Sequence, residues 1–145
     1  MAAVMQDAQY ESQVKVIAGM ASQREWANCG PGIEIKVLAV DEEHHSVQYL
    51  ARTGPGHNPG VHRHNADAYI YILEGSVQNL TTGCEFKAGD FCFQPIGDVH
   101  EEVVGPAGVV SYVSQRGDSD LLIEFMDESG AVAEVYSIAD FAKLL

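Results

Sequence analysis

Apolar and polar residues alternate in a series of short segments that begins near residue 30. Residues 33–38 (IEIKVL) place alternate side chains on opposite faces, as a half-buried β-strand does. Segments of the same kind occupy residues 47–52, 69–73, 91–94, 109–114, 121–126 and 132–136, and Phe86 marks a further short one. Because Gly and Pro residues separate these segments, the pattern predicts an all-β sandwich or barrel.

The two ends of the chain depart from this pattern. Residues 1–13 are polar without periodicity and predict a loose arm, and residues 20–26 predict one short helix. Residues 127–130 (DESG) predict a hairpin turn. Ser137 is a predicted cap for a helix over residues 138–144, with Asp140 near the positive end of its dipole. The predicted organisation is one domain: arm and short helix in residues 1–30, β-barrel in residues 31–137, and a C-terminal helix in residues 138–145 packed on the barrel.

Composition and charge exclude several classes of function. The 145 residues include 8 Lys and Arg against 21 Asp and Glu, so the net charge is 8 − 21 = −13. This charge disfavours binding to nucleic acid or to an anionic membrane surface. No apolar run approaches the ~18 residues of a membrane span, and the N-terminus lacks the basic start and apolar stretch of a secretory signal, so we expect a cytoplasmic protein. Cys29, Cys84 and Cys92 form no C-x-x-C pair and predict reduced thiols.

Histidine placement is the feature that predicts chemistry. His62 and His64 are two residues apart in a stretch predicted to be extended, so both imidazoles leave the same face of the strand. His100 can join them from a neighbouring strand. Imidazole binds iron, zinc, nickel and copper, so this set predicts one divalent metal ion per chain without naming it.

Glycine, proline and histidine positions around these residues form two spaced patterns. The first contains Gly56, His62, His64, Ala68 and Gly75, separated by five, one, three and six residues. The second contains Gly89, Pro95, Gly97 and His100, separated by five, one and two residues. Both resemble the two sequence motifs of the cupin (RmlC-like) superfamily, over residues 56–100. The resemblance implies a single jelly-roll β-barrel with a metal held by His62, His64 and His100.

One departure from the cupin pattern bears on the metal. Ala68 stands where the first motif usually has a metal-binding Glu. Three neutral imidazoles would leave a divalent site with a charge of about +2, instead of about +1 with a carboxylate, and would open a coordination position. Asp67 and His57 stay open as a fourth ligand, although a regular strand would point Asp67 to the opposite face.

Residues 62–76 resemble a small single-domain group of cupins that includes acetylacetone-cleaving dioxygenase and 2,4'-dihydroxyacetophenone dioxygenase. That resemblance implies non-haem Fe(II) on three histidines, with Zn(II) or Ni(II) as alternatives, and cleavage of a carbon–carbon bond beside a carbonyl by O2. The substrate would be a small β-diketone or hydroxyketone. Candidates to surround the metal, each alternatively a packed or solvated strand residue, are Glu101, Glu102, Tyr69, Tyr71, Gln48, Gln94 and Tyr112.

Other interpretations stay open at this stage. The chain also resembles the zinc-binding cupin sensor domain of anti-sigma factors, which follows a helical zinc-binding domain with its own Cys and His; residues 1–30 contain only Cys29, which disfavours that interpretation. A metal-dependent isomerase or hydrolase on the same barrel and a metal-free relative are further alternatives. Small β-barrels often bury their strand edges against another copy, so we expect a homodimer.

Overall fold

The computed structural model describes residues 15–16, 22 and 24–145. Within these residues the chain forms twelve strands and one α-helix. The strands are β1 Lys15–Val16, β2 Ala27–Asn28, β3 Ile33–Asp41, β4 Ser46–Thr53, β5 His62–His64, β6 Ala66–Asn79, β7 Glu85–Lys87, β8 Phe91–Gln94, β9 Val99–His100, β10 Glu102–Gly117, β11 Leu121–Met126 and β12 Val132–Ser137; the helix is α1 Ile138–Ala142. The predicted all-β class with a short C-terminal helix is confirmed.

The strands form two antiparallel sheets arranged as a jelly roll, which do not close into a continuous barrel. The larger sheet has the order β1-β3-β4-β10-β6-β7, with β2 also paired to β3 and β8 to β6. The smaller sheet has the order β12-β11-β5-β9. The two histidine-bearing strands, β5 and β9, are therefore direct neighbours.

The N-terminal region contributes strands to the larger sheet. β1 pairs with one end of β3 and β2 with the other, so these two segments satisfy backbone groups along an edge that would otherwise be unpaired. This corrects the expectation of an arm and helix up to residue 30, because residues 15–16 and 27–28 belong to the sheet. Residues 1–13 lie outside the described residues, as do residues 20, 21 and 23; residues 24–26 are described and are not part of a helix, contrary to the prediction for that end of the segment.

The hydrophobic core is formed by the larger sheet, α1 and Leu122 of the smaller sheet. Side chains from β3, β4 and β10 meet there, among them Val37, Val47 and Val113. The Phe141 ring of α1 stacks on Tyr49, with the ring centroids 4.7 Å apart. Ser137 caps α1 and forms a reciprocal capping box with Asp140, as its position in the sequence predicts.

A glycine allows the two longest strands, β6 and β10, to approach each other closely. Gly75 of β6 has a φ of +75°, and a Cβ there would collide with the carbonyl oxygen of Gly108 in β10. The β6–β10 register shifts on either side of this point. Gly75, the last position of the first cupin-like pattern, is thus required by both conformation and space.

Candidate metal centre

β5 and β9 bring the three predicted histidines together. His62 and His100 are directly opposite in the strand pairing, and His64 follows two residues along β5. The three imidazoles are buried, and one ring nitrogen from each lies within 4.8 Å of the others. The Nε2 atoms of His64 and His100 are 3.3 Å apart. The arrangement gathers three nitrogen donors around one point.

Hydrogen bonds orient two of these rings. Nδ1 of His62 lies 3.0 Å from the carbonyl oxygen of Gly60, and Nδ1 of His100 lies 2.7 Å from Oδ2 of Asp98. Because both acceptors lack hydrogens, each Nδ1 carries the donated proton, and Nε2 is the nitrogen of each ring that could bind a metal. In the described part of the chain, Nδ1 of His64 is buried without a hydrogen-bond partner.

A carboxylate also faces the imidazoles. Oε1 of Glu102 lies 2.9 Å from Nε2 of His100 and 3.7 Å from Nε2 of His62. Nε2 of Gln94 lies 3.4 Å from each of the two carboxylate oxygens and donates to them. The Glu102 side chain is only 17% exposed. A carboxylate from β10 therefore lies beside the imidazoles, although Ala68 cannot supply one from β6.

Burial and mutual charge shift the pKa values of this cluster. Burial alone would raise the pKa of Glu102, but the hydrogen bonds and charges of His100 and His62 lower it to about 2. Burial lowers the pKa of His64 to about 3, and its histidine neighbours add to the effect. Burial would also lower the pKa of His100, yet Glu102 and Asp98 raise it. At neutral pH the cluster therefore holds an ionised Glu102 carboxylate and a neutral His64 imidazole, and both of these forms are metal ligands.

Asp67 and His57, the two alternative candidates for a fourth ligand, are not part of the three-histidine group. Oδ1 of Asp67 accepts a hydrogen bond of 2.9 Å from the backbone N–H of Ile96, so this carboxylate holds the loop before β9. Asp67 lies between buried Ala66 and Ala68 in β6, and strand alternation turns it away from the interior. Nε2 of His57 is buried and unpaired among the described residues, but His57 is not part of the three-histidine group.

Several other candidates are not brought to the imidazoles. Glu101 accepts a hydrogen bond of 2.6 Å from Asn58. Tyr69 is 43% exposed on the outer face of β6, where its ring contacts Phe93. Gln48 alternates with the buried residues of β4 and faces outward. The same alternation turns Tyr71 and Tyr112 outward and leaves Gln94 inside.

A cavity of about 880 Å³ is lined by neighbours of the three histidines in the smaller sheet, but not by the histidines themselves. Its lining is mainly apolar and includes Ile35, Ala51, Ile123 and Phe125. In the strand pairing, Ile123 is opposite His64 and Phe125 is opposite His62, so these side chains share one face of the smaller sheet. The Phe125 and His62 ring centroids are 5.2 Å apart. The cavity has the size of a small-molecule pocket.

A two-sheet jelly roll with His-x-His on one strand and a third histidine on its neighbour defines the protein as a cupin. More particularly, the chain belongs to the ChrR cupin-like family, because the model of that domain matches residues 14–119.

Solved structures share the fold at low sequence identity. An RmlC-like cupin protein from Ralstonia eutropha JMP134 is 13% identical, with a TM-score of 0.77, and the match covers 89% of this chain and 85% of that one. An acetylacetone dioxygenase from Acinetobacter johnsonii is 18% identical, with a TM-score of 0.68 and coverage of 79% and 77%. The anti-sigma ChrR, solved in complex with SigE of Rhodobacter sphaeroides, is 19% identical, with a TM-score of 0.54 and coverage of 63% and 48%.

Two further findings are negative. Among curated proteins, none matches this chain. Across residues 15–16, 22 and 24–145, the structure contains no helix with the length and apolar character needed to span a bilayer.

Proposed function

We propose that this protein is a mononuclear non-haem Fe(II) dioxygenase that cleaves a carbon–carbon bond of a β-diketone or hydroxyketone. The observation that carries the proposal is the group of three buried imidazoles, His62, His64 and His100. The His62 ring contacts Phe125, which lines an apolar cavity. Resemblance of the fold to an acetylacetone dioxygenase supports the reaction class.

The separation of the His64 and His100 nitrogens fits a shared metal ion. Bonds of about 2.0–2.2 Å at angles of about 90–120° place adjacent donor atoms about 2.8–3.8 Å apart. The 3.3 Å between Nε2 of His64 and Nε2 of His100 falls in this interval. The acceptors on Nδ1 of His62 and His100 leave their Nε2 atoms available for the same ion.

The chain's own residues would bind and enclose the substrate. A bound Fe(II) ion would supply Lewis-acid activation of a carbonyl oxygen and reactivity towards O2. The three imidazoles hold the ion, and Ile123 and Phe125 offer an apolar wall to the carbon skeleton. An apolar lining also limits the access of water, which protects reactive species from side reactions.

Oxygen consumption tests this proposal. Protein loaded with Fe(II) is mixed with acetylacetone and with a panel of β-diketones and α-hydroxyketones, and O2 uptake is followed together with the carboxylic acid products. We expect substrate-dependent uptake that is lost in a His64→Ala variant. Full metal loading without O2 uptake on any member of the panel would contradict the dioxygenase proposal.

A zinc-binding sensor is the second candidate function. It is favoured by the match to the ChrR cupin-like family and by the likeness to the anti-sigma ChrR structure. A sensor of this kind would bind Zn(II) more tightly than Fe(II) and would show no turnover. Product formation that continues without O2 would instead favour an isomerase or hydrolase.

A further inference from the structure

We propose that Glu102 is the fourth ligand of the metal centre and supplies, from β10, the carboxylate that Ala68 cannot supply from β6. This inference rests on the proposed function in one respect, since both require a divalent ion at the three histidines. It adds a ligand from a strand that neither cupin-like pattern includes.

Strand alternation places Glu102 inside the site. His100 ends β9 and Glu102 begins β10, so the two residues are separated by one position, as His62 and His64 are. Glu101 between them points to Asn58 instead. The site is thus built from a His-x-His pair and a His-x-Glu pair whose first members face each other across β5 and β9.

The distances fit one coordination sphere. Oε1 of Glu102 lies 2.9 Å from Nε2 of His100 and 3.7 Å from Nε2 of His62. Both values fall in the interval of about 2.8–3.8 Å expected between donors that share an ion. Without an ion, the shorter contact is an ordinary hydrogen bond, and a metal would take the place of its hydrogen.

The surroundings of Glu102 hold the carboxylate in place. Gln94 donates to both oxygens from β8, and Gln94 is itself paired with Ala68 in the sheet. A Glu side chain at Ala68 would point into this same interior space. The small Ala68, which is 1% exposed, therefore leaves room for the carboxylate that comes from the other strand.

This ligand changes the character of the centre. A divalent ion held by three imidazoles and one carboxylate carries a net charge of about +1 instead of about +2. Such a centre binds small anions less tightly than three histidines alone would. Removing the carboxylate should therefore weaken metal binding and strengthen the binding of an added anion.

The test compares Glu102→Gln with Glu101→Gln, a matched control whose carboxylate binds Asn58. Metal-free protein is titrated with Zn(II), and azide is then titrated into the Co(II)-loaded protein. We expect the Glu102→Gln variant to bind Zn(II) at least tenfold more weakly and azide more tightly, and Glu101→Gln to match the wild type. A crystal structure of the Zn(II)-loaded protein should show Oε1 of Glu102 within about 2.2 Å of the ion.

The outcomes separate the two proposals. If Glu102→Gln keeps wild-type affinity for Zn(II) while His62→Ala loses it, the three-histidine centre stands and the role of Glu102 is refuted. If the wild type binds no metal, the proposed function itself fails. A loaded crystal structure with Glu102 still hydrogen-bonded to His100 and away from the ion would also overturn the ligand assignment.

Discussion

At the scale of single residues, the centre depends on how each imidazole is held. Asp98 fixes His100 through a 2.7 Å contact to Nδ1, and a backbone carbonyl fixes His62 in the same way. A carboxylate acceptor both orients the ring and increases its basicity towards a metal. Asp98 is therefore a positioning residue for the third histidine.

Removing Asp98 should weaken the centre without unfolding the protein. We predict that Asp98→Ala lowers Zn(II) affinity by about 10–100-fold, the usual cost of losing the partner of a metal-binding histidine. Calorimetric titration measures the affinity, and Glu128→Ala in the exposed turn at residues 127–130 is the control. Unchanged affinity in Asp98→Ala would show that the contact does not support the metal.

The cysteines should differ in reactivity because their environments differ. Burial and the nearby charge of Glu102 raise the pKa of Cys92 to about 11, whereas Cys84 is exposed. A raised pKa keeps a thiol protonated and unreactive below that pH. We predict that iodoacetamide at pH 8 labels Cys84 first, and that Cys92 becomes reactive only as the pH approaches 11. Labelling is measured by mass spectrometry of the peptides, and equal labelling of Cys84 and Cys92 at pH 8 would contradict the prediction.

Residue spacing predicted part of the site. The His-x-His pair and the later His100 could be found because alternation on a strand makes i and i+2 neighbours on one face. The same rule, applied from His100, indicates that Glu102 lies on the face of the histidines and that Glu101 does not. Two adjacent acidic residues are, however, equally typical of a strand edge exposed to solvent. Which one is buried depends on Gln94 and Asn58, whose proximity comes from strand pairing and not from local sequence.

At the scale of elements, the long strands β6 and β10 differ most from the sequence pattern. The alternating segments predicted only residues 69–73 and 109–114, yet the strands span Ala66–Asn79 and Glu102–Gly117. Gly75 interrupts the pattern in β6, and Gly105, Pro106 and Gly108 interrupt it in β10, where bulges absorb the irregularity. Two-residue strands such as β2 cannot be predicted at all, because they exist only through pairing with β3.

The close approach of β6 and β10 can be tested at Gly75. We predict that Gly75→Ala destabilises the fold by about 2–4 kcal/mol, because strain at positive φ costs about 1–3 kcal/mol and the new Cβ meets backbone. Gly83 has a similar φ of +79° with open space around it, so Gly83→Ala isolates the conformational cost. Equal losses of unfolding free energy in the two variants, measured by urea unfolding, would show that the close contact between Gly75 and Gly108 does not contribute.

At the scale of the whole molecule, one outer face is unusually aromatic. Tyr69, Tyr71, Phe91 and Phe93 lie side by side on β6 and β8 and are each at least 43% exposed. Exposed apolar patches on a soluble domain commonly mark an interface. A face of this kind supports the expectation of a homodimer, in which the same patch of two copies would meet.

Sedimentation tests whether the protein is a homodimer. We predict a species of twice the 15.7 kDa chain mass, and its conversion to monomer in a Phe91→Ser/Phe93→Ser double variant. Leu80→Ser, at a similarly exposed position after β6, should leave the dimer intact. A wild-type protein that sediments as a monomer at micromolar concentration would contradict the expected homodimer.

The central claim is that His62, His64 and His100 form a metal centre. Its most direct test is an anaerobic titration of the metal-stripped protein with Fe(II), in which stoichiometry and affinity are determined together. The account predicts one tightly bound ion per chain and the loss of that binding in a His100→Ala variant. The absence of binding, or equal binding by the variant, would contradict it.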